Sequence, residues 1–154
     1  MNSLILRQAG KILFPVLVVL SLVELYRGHN LPGGGFIGGL LAVCAFILLG
    51  IGESMDEARR RLRVPPGSLL AIGLGVALAS GLPGLFVGKE FMDGLWLPAF
   101  ELPLLGKVHL GTPLLFDVGV YFTVIGFSLE TVFSLSALAE PSAGETVGGE
   151  EGDV

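Results

Sequence analysis

One cysteine, one tryptophan and two histidines in 154 residues leave little from which to build a metal centre or a disulfide framework. Cys44 stands alone inside an apolar run, so it reads as a packing residue. His109 has no second ligand at metal-binding spacing. Charge is also scarce: 15% of residues are charged, 52% are hydrophobic, and the mean hydropathy is +0.79. That balance lies on the membrane side of ordinary composition. It leaves no nucleophile, base and acid to assemble into a soluble active site, so the chain reads as a non-enzyme. The net charge of -5 comes from the tail, where Glu140, Glu145, Glu150, Glu151 and Asp153 have no basic neighbour. No basic surface suited to nucleic acid is present.

What the chain does have is four long apolar runs, about 4–26, 33–52, 66–87 and 112–139. Each reaches the roughly 20 residues that a helix needs to cross about 30 Å of hydrocarbon. The second and third carry no charge and no polar face at helical period. The expected fold is therefore an all-α integral membrane protein with four transmembrane helices over residues 1–139 and a disordered acidic tail over 140–154. The first run has a basic start but no small-residue cleavage site at Glu24-Leu25-Tyr26-Arg27, so it is expected to stay attached. Arg7, Lys11, Arg59, Arg60, Arg61 and Arg63 would share one side, against Arg27, Lys89 and Lys107 on the other. The preference of basic loops for the cytoplasm then puts both termini inside. The Arg59, Arg60, Arg61 and Arg63 group is expected to anchor to anionic headgroups, with Glu53, Asp56 and Glu57 pairing to it locally.

Gly28-His29-Asn30-Leu31-Pro32-Gly33-Gly34-Gly35-Phe36-Ile37-Gly38-Gly39 joins the first two runs. Gly33-x-Gly35-x-x-Gly38 imitates a dinucleotide fingerprint, but it opens an uncharged run and lacks the strand and polar helix face such a unit needs. Small residues four apart, Gly34 with Gly38, Gly35 with Gly39, and Gly73 with Ala77 and Gly81, suit close helix packing instead. Alternatively, the turn Pro32, Gly33, Gly34, Gly35 and Phe36 leaves backbone groups open to a cation or water path.

Asp117 is the sharpest polar feature, about five residues or 7 Å into the fourth run. A carboxylate at that depth is costly unless paired, protonated or facing a wet cavity. Tyr121 and Ser128 share its helical face. With both termini inside, Glu24, His29, the glycine turn and Asp117 can meet at one end of the molecule. Each also has a bland explanation: an Asp117 bond to backbone, a Glu24–Arg27 helix-end pair, a loop hydrogen bond for His29. Glu130, near the other end of the fourth helix, is expected to snorkel or meet a partner subunit. Residues 89–111 mix aromatics with prolines and read as an interfacial segment or a cover for a neighbouring subunit.

The glycine motif, together with Gly111-Thr112-Pro113-Leu114-Leu115-Phe116-Asp117-Val118-Gly119-Val120-Tyr121, resembles the two signature stretches of the MnhB/MrpB family. That family supplies the B-type component of multi-subunit Mrp-type Na+/H+ antiporters. The resemblance covers about Leu4 to Leu138. It implies a multi-pass subunit of a prokaryotic cell membrane that contributes to the Na+ path and to assembly. No bound cofactor is implied, and Na+ and H+ are the transported ions. The implied partners are large complex-I-like subunits and other small membrane subunits. Similar modules serve hydrogenase-type respiratory complexes, and a purely structural assembly role is the third reading.

Overall fold

The computed structural model describes residues 4–28, 33–86, 88, 90, 92–95, 100–102, 106–108 and 111–139. His29, Pro32, the tail and the aromatic residues Phe91 and Trp96 lie outside them. Among the described residues, four helical segments are long and apolar enough to cross a membrane: α1 (Leu4–Arg27), α2 (Gly34–Gly52), a third from Pro66 to Phe86, and α6 (Thr112–Ala139). At 1.5 Å per residue α2 matches a hydrocarbon core closely, whereas α6 is about 42 Å long and must tilt or protrude.

Two features depart from the pattern of apolar runs. The arginine segment is itself a helix, α3 (Met55–Leu62), rather than loop. Its ends explain it: the Ser54 hydroxyl accepts the Glu57 N–H at 3.2 Å, acids fill the first turn, and Arg59, Arg60 and Arg61 fill the last. The third span is not continuous either. It consists of α4 (Pro66–Ala79), started by a proline that needs no N–H there, and α5 (Leu82–Phe86). The Ser80 hydroxyl turns back to the Ala77 carbonyl at 2.7 Å where they part.

The connection to α6 adds a small antiparallel pair, β1 (Phe100–Leu102) and β2 (Gly106–Val108), with Glu101 opposite Lys107 in register. Thr112 fastens this connection to the start of α6: its N–H donates to Leu95 O at 3.0 Å and its hydroxyl accepts the Leu95 N–H at 3.1 Å.

The spans form a row. Helix α1 packs on α2, α2 on α6, and α6 on α4, with α1 and α4 at the two ends. The core is a seam along α2 and α6, where Leu49, Ile125, Leu129 and Phe133 are buried and Ala58 of α3 closes one end. The α4–α6 contact runs over Gly73, Ala77 and Gly119, as the small-residue spacing predicts. The α2 glycines divide their work: Gly35 and Gly39 face α6, and Gly38 faces Ser21 and Leu25 of α1. Large apolar side chains are exposed along the spans, including Ile5, Ile12 and Val19 on α1 and Ile72 and Leu78 on α4. Cys44, read from sequence as a packing residue, is exposed on the free side of α2, a position where a small thiol meets lipid or a neighbouring helix without cost.

Candidate functional site

Three spans meet where α2 begins. Gly33 and Gly34 both take positive φ, 150° and 67°, so the chain enters α2 through backbone that side-chain-bearing residues rarely adopt. Asp117 of α6 sits against this entry: its Oδ1 accepts the Gly35 N–H at 3.4 Å. A Cβ on Gly34 would stand 2.8 Å from the same oxygen, and one on Gly35 would overlap the Asp117 carbonyl. The carboxylate therefore rests at the positive end of a helix, on backbone bared by glycine.

Glu24 of α1 approaches from the other side. A Cβ on Gly33 would lie 3.2 Å from its Oε2, while Oε1 is 3.6 Å from Arg27. The helix-end pair read from the sequence is present, and it leaves one Glu24 oxygen turned to the turn. One turn along α6, the Tyr121 hydroxyl lies 3.0 Å from Ser21 Oγ in the interior. Ser21 spends its single proton on the Val18 carbonyl at 2.7 Å, so Tyr121 is the donor in this bond. Glu24, Gly33, Gly34, Gly35, Asp117 and Tyr121 thus come together. Phe36 is exposed beside them.

Ser21 is the residue that sequence reasoning missed. It is the one polar side chain between Lys11 and Glu24, three residues before Glu24, and that isolation was the available signal. Also missed was the partnership of Glu53. It pairs not with the α3 arginines but with α1: Lys11 Nζ at 3.0 Å and Arg7 Nε at 3.6 Å. Hydrogen bonding by the Lys11 ammonium holds its carboxyl below the usual range; desolvation opposes this, and Arg61 and Arg7 assist. Glu57 does pair locally, with Arg61 at 3.4 Å. Arg61 lies 5.6 Å from the Phe14 ring centroid and Arg59 5.1 Å from that of Phe133, so α3 spans α1 and α6 as a strap.

Among the described residues no three His, Cys, Asp or Glu side chains group as a metal site. Two carboxylates converging on open backbone beside a membrane-spanning seam are instead suited to a transient monovalent cation or a proton.

These features define a multi-pass helical membrane protein with a carboxylate-bearing junction between spans. The chain belongs to the family described as "Domain related to MnhB subunit of Na+/H+ antiporter", matched over residues 5–130. It is 31% identical over 135 residues to the B-type subunit of the Na(+)/H(+) antiporter of Alkalihalophilus pseudofirmus, covering 88% of this chain and 93% of that one. It is 34% identical over 138 residues to a protein of Staphylococcus aureus named as antiporter subunit mnhB2, covering 88% and 95%. The family match includes α1, α2, the third span and most of α6, and both carboxylates of the junction.

Proposed function

We propose that this chain is the B-type subunit of a multi-subunit Na+/H+ antiporter and that the junction of Glu24, the Gly33–Gly35 turn and Asp117 lies on its cation path. The family match and the relatives' names support the subunit role. One observation carries the path: a membrane-embedded carboxylate that, among the described residues, has a single 3.4 Å backbone N–H and no cationic side chain as partner. Such a group has capacity left for a proton or a Na+ ion. Tyr121 holds α1 against α6 behind it, and His29 and Pro32 complete the turn in sequence.

The partners are large complex-I-like subunits that carry proton channels, together with small membrane subunits. The row of four spans, with its apolar faces, fits one section of a larger wall. The basic residues near the start of α1 and on α3 orient both termini to the cytoplasm, with residues 140–154 as a tail beyond the membrane domain.

A tagged pull-down from native membranes in mild detergent tests this reading, with co-purifying subunits identified by mass spectrometry. Complex-I-like antiporter subunits are the expected result. Iron–sulfur or hydrogenase subunits would move the chain to a redox-coupled complex. Recovery of the chain alone would overturn the subunit role. Asp117→Asn in the intact complex separates path from scaffold, because unchanged Na+-dependent exchange would leave an assembly role only.

A further inference from the structure

The four arginines of α3 and its exit do not act as one patch. Arg61 turns to Glu57 and Phe14, whereas Arg59, Arg60 and Arg63 line an open pocket of about 490 Å³ together with Val64, Pro66 and Glu130. Glu130 is exposed on a membrane-spanning helix, and among the described residues no hydrogen bond or ion pair engages it. Its neighbourhood explains this. The adjacent start of α4 is Pro65-Pro66-Gly67, where two prolines offer no N–H, and a Cβ on Gly67 would lie 4.0 Å from Glu130 Oε2. Among the same residues Arg60 and Arg63 have no carboxylate within ion-pair distance either, and Arg59 is engaged only by the Phe133 ring.

Opposite charges therefore share one pocket without touching. At the level where α3 leaves and α4 enters the membrane, the group that bridges such a gap carries an anion for the guanidinium side and a cation with N–H donors for Glu130. We propose that this pocket binds the headgroup of an aminophospholipid, its phosphate against Arg60 and Arg63 and its ammonium against Glu130. Apolar surface for the acyl chains adjoins it: Phe127, one turn from Glu130 along α6, is 63% exposed, and Val64 is exposed at the rim. A phosphatidylglycerol headgroup satisfies the arginines but leaves Glu130 facing a neutral glycerol. The carboxylate is thus the selective element and the arginines the general one. A lipid site here requires only that the helices span a bilayer, so its loss would leave the antiporter assignment standing.

The test uses the complex in nanodiscs of equal phosphatidylethanolamine and phosphatidylglycerol, with retained lipid measured by native mass spectrometry. Phosphatidylethanolamine is expected to be enriched about threefold to fivefold, the scale of a partly exposed ion pair. Glu130→Gln should abolish the preference and Glu130→Lys should invert it, while Arg60→Gln should weaken retention of both lipids. Soluble O-phosphoethanolamine filling the site in discs of phosphatidylglycerol alone would support the headgroup chemistry and move its source from lipid to solute. No preference in the native chain, or one unchanged in Glu130→Gln, would overturn the proposal. So would a cross-linked partner-subunit lysine occupying Glu130.

Discussion

The two ends of this molecule treat a carboxylate in opposite ways. At the arginine end Glu53 is only 12% exposed and is closed off by Lys11 at 3.0 Å and Arg7 at 3.6 Å. At the glycine end Asp117 has, among the described residues, one long backbone contact, made beside the Gly33–Gly35 backbone. The first arrangement spends its acid on holding α1 to the α2–α3 corner. The second leaves its acid, among the described residues, short of partners and next to backbone bared by glycine. A fully paired carboxylate braces, and a partly paired one can exchange partners; this contrast is the physical basis for proposing the cation path at the glycine end.

The contrast breaks most severely at the backbone of the turn. Gly35→Ala forces a Cβ into the Asp117 carbonyl and should separate α2 from α6, at about 1–3 kcal/mol by the usual cost of overpacking. The measurement is loss of the subunit from the purified complex. Next comes Asp117→Asn, which keeps the shape and should leave assembly intact while Na+-dependent exchange falls on the order of tenfold, the factor that ~1.4 kcal/mol represents. Vesicle exchange assays at several Na+ concentrations would read it.

A smaller effect is expected from Tyr121→Phe, which removes the bond to Ser21 and should lower thermal stability in detergent by about 1 kcal/mol. The mildest change sharpens the other end. Because the Glu53 carboxyl is held below its usual 4.5, its stabilising contribution is present above that pH and is lost as pH falls through the lowered value. Glu53→Gln should therefore melt earlier than the native chain at neutral pH, and the difference should close in acid. A difference that persists at low pH would mean that packing, not charge, holds the corner.

Much of this was legible in the residues, and the reason is the solvent. Hydrocarbon forces every backbone group in a span to bond within its own segment, so an uncharged run of about 20 residues has one available structure. That is why the positions of α1, α2 and α6 follow from hydropathy alone, and why an acid five residues into α6 stood out. Helix α3 was hidden for the converse reason. It is amphipathic and short, its identity rests on a Ser54 cap and a charge gradient, and its closely spaced arginines draw the eye to lipid instead.

By itself the sequence determined the spans, the small-residue spacing, and the glycine turn and Asp117 as separate candidate groups, because each depends on local composition or on a recognisable motif. Which acid meets which base was decided only by tertiary structure. Glu53 could reach the α3 arginines in sequence but is turned to α1; Arg61 and Arg60 are neighbours in sequence and point into different pockets. The row α1–α2–α6–α4 is likewise invisible to hydropathy, since lipid is as apolar as the helices and gives no signal of neighbour order. Close backbone approach at glycine chose the order, and the order in turn brought Glu24, Gly34 and Asp117 to one place.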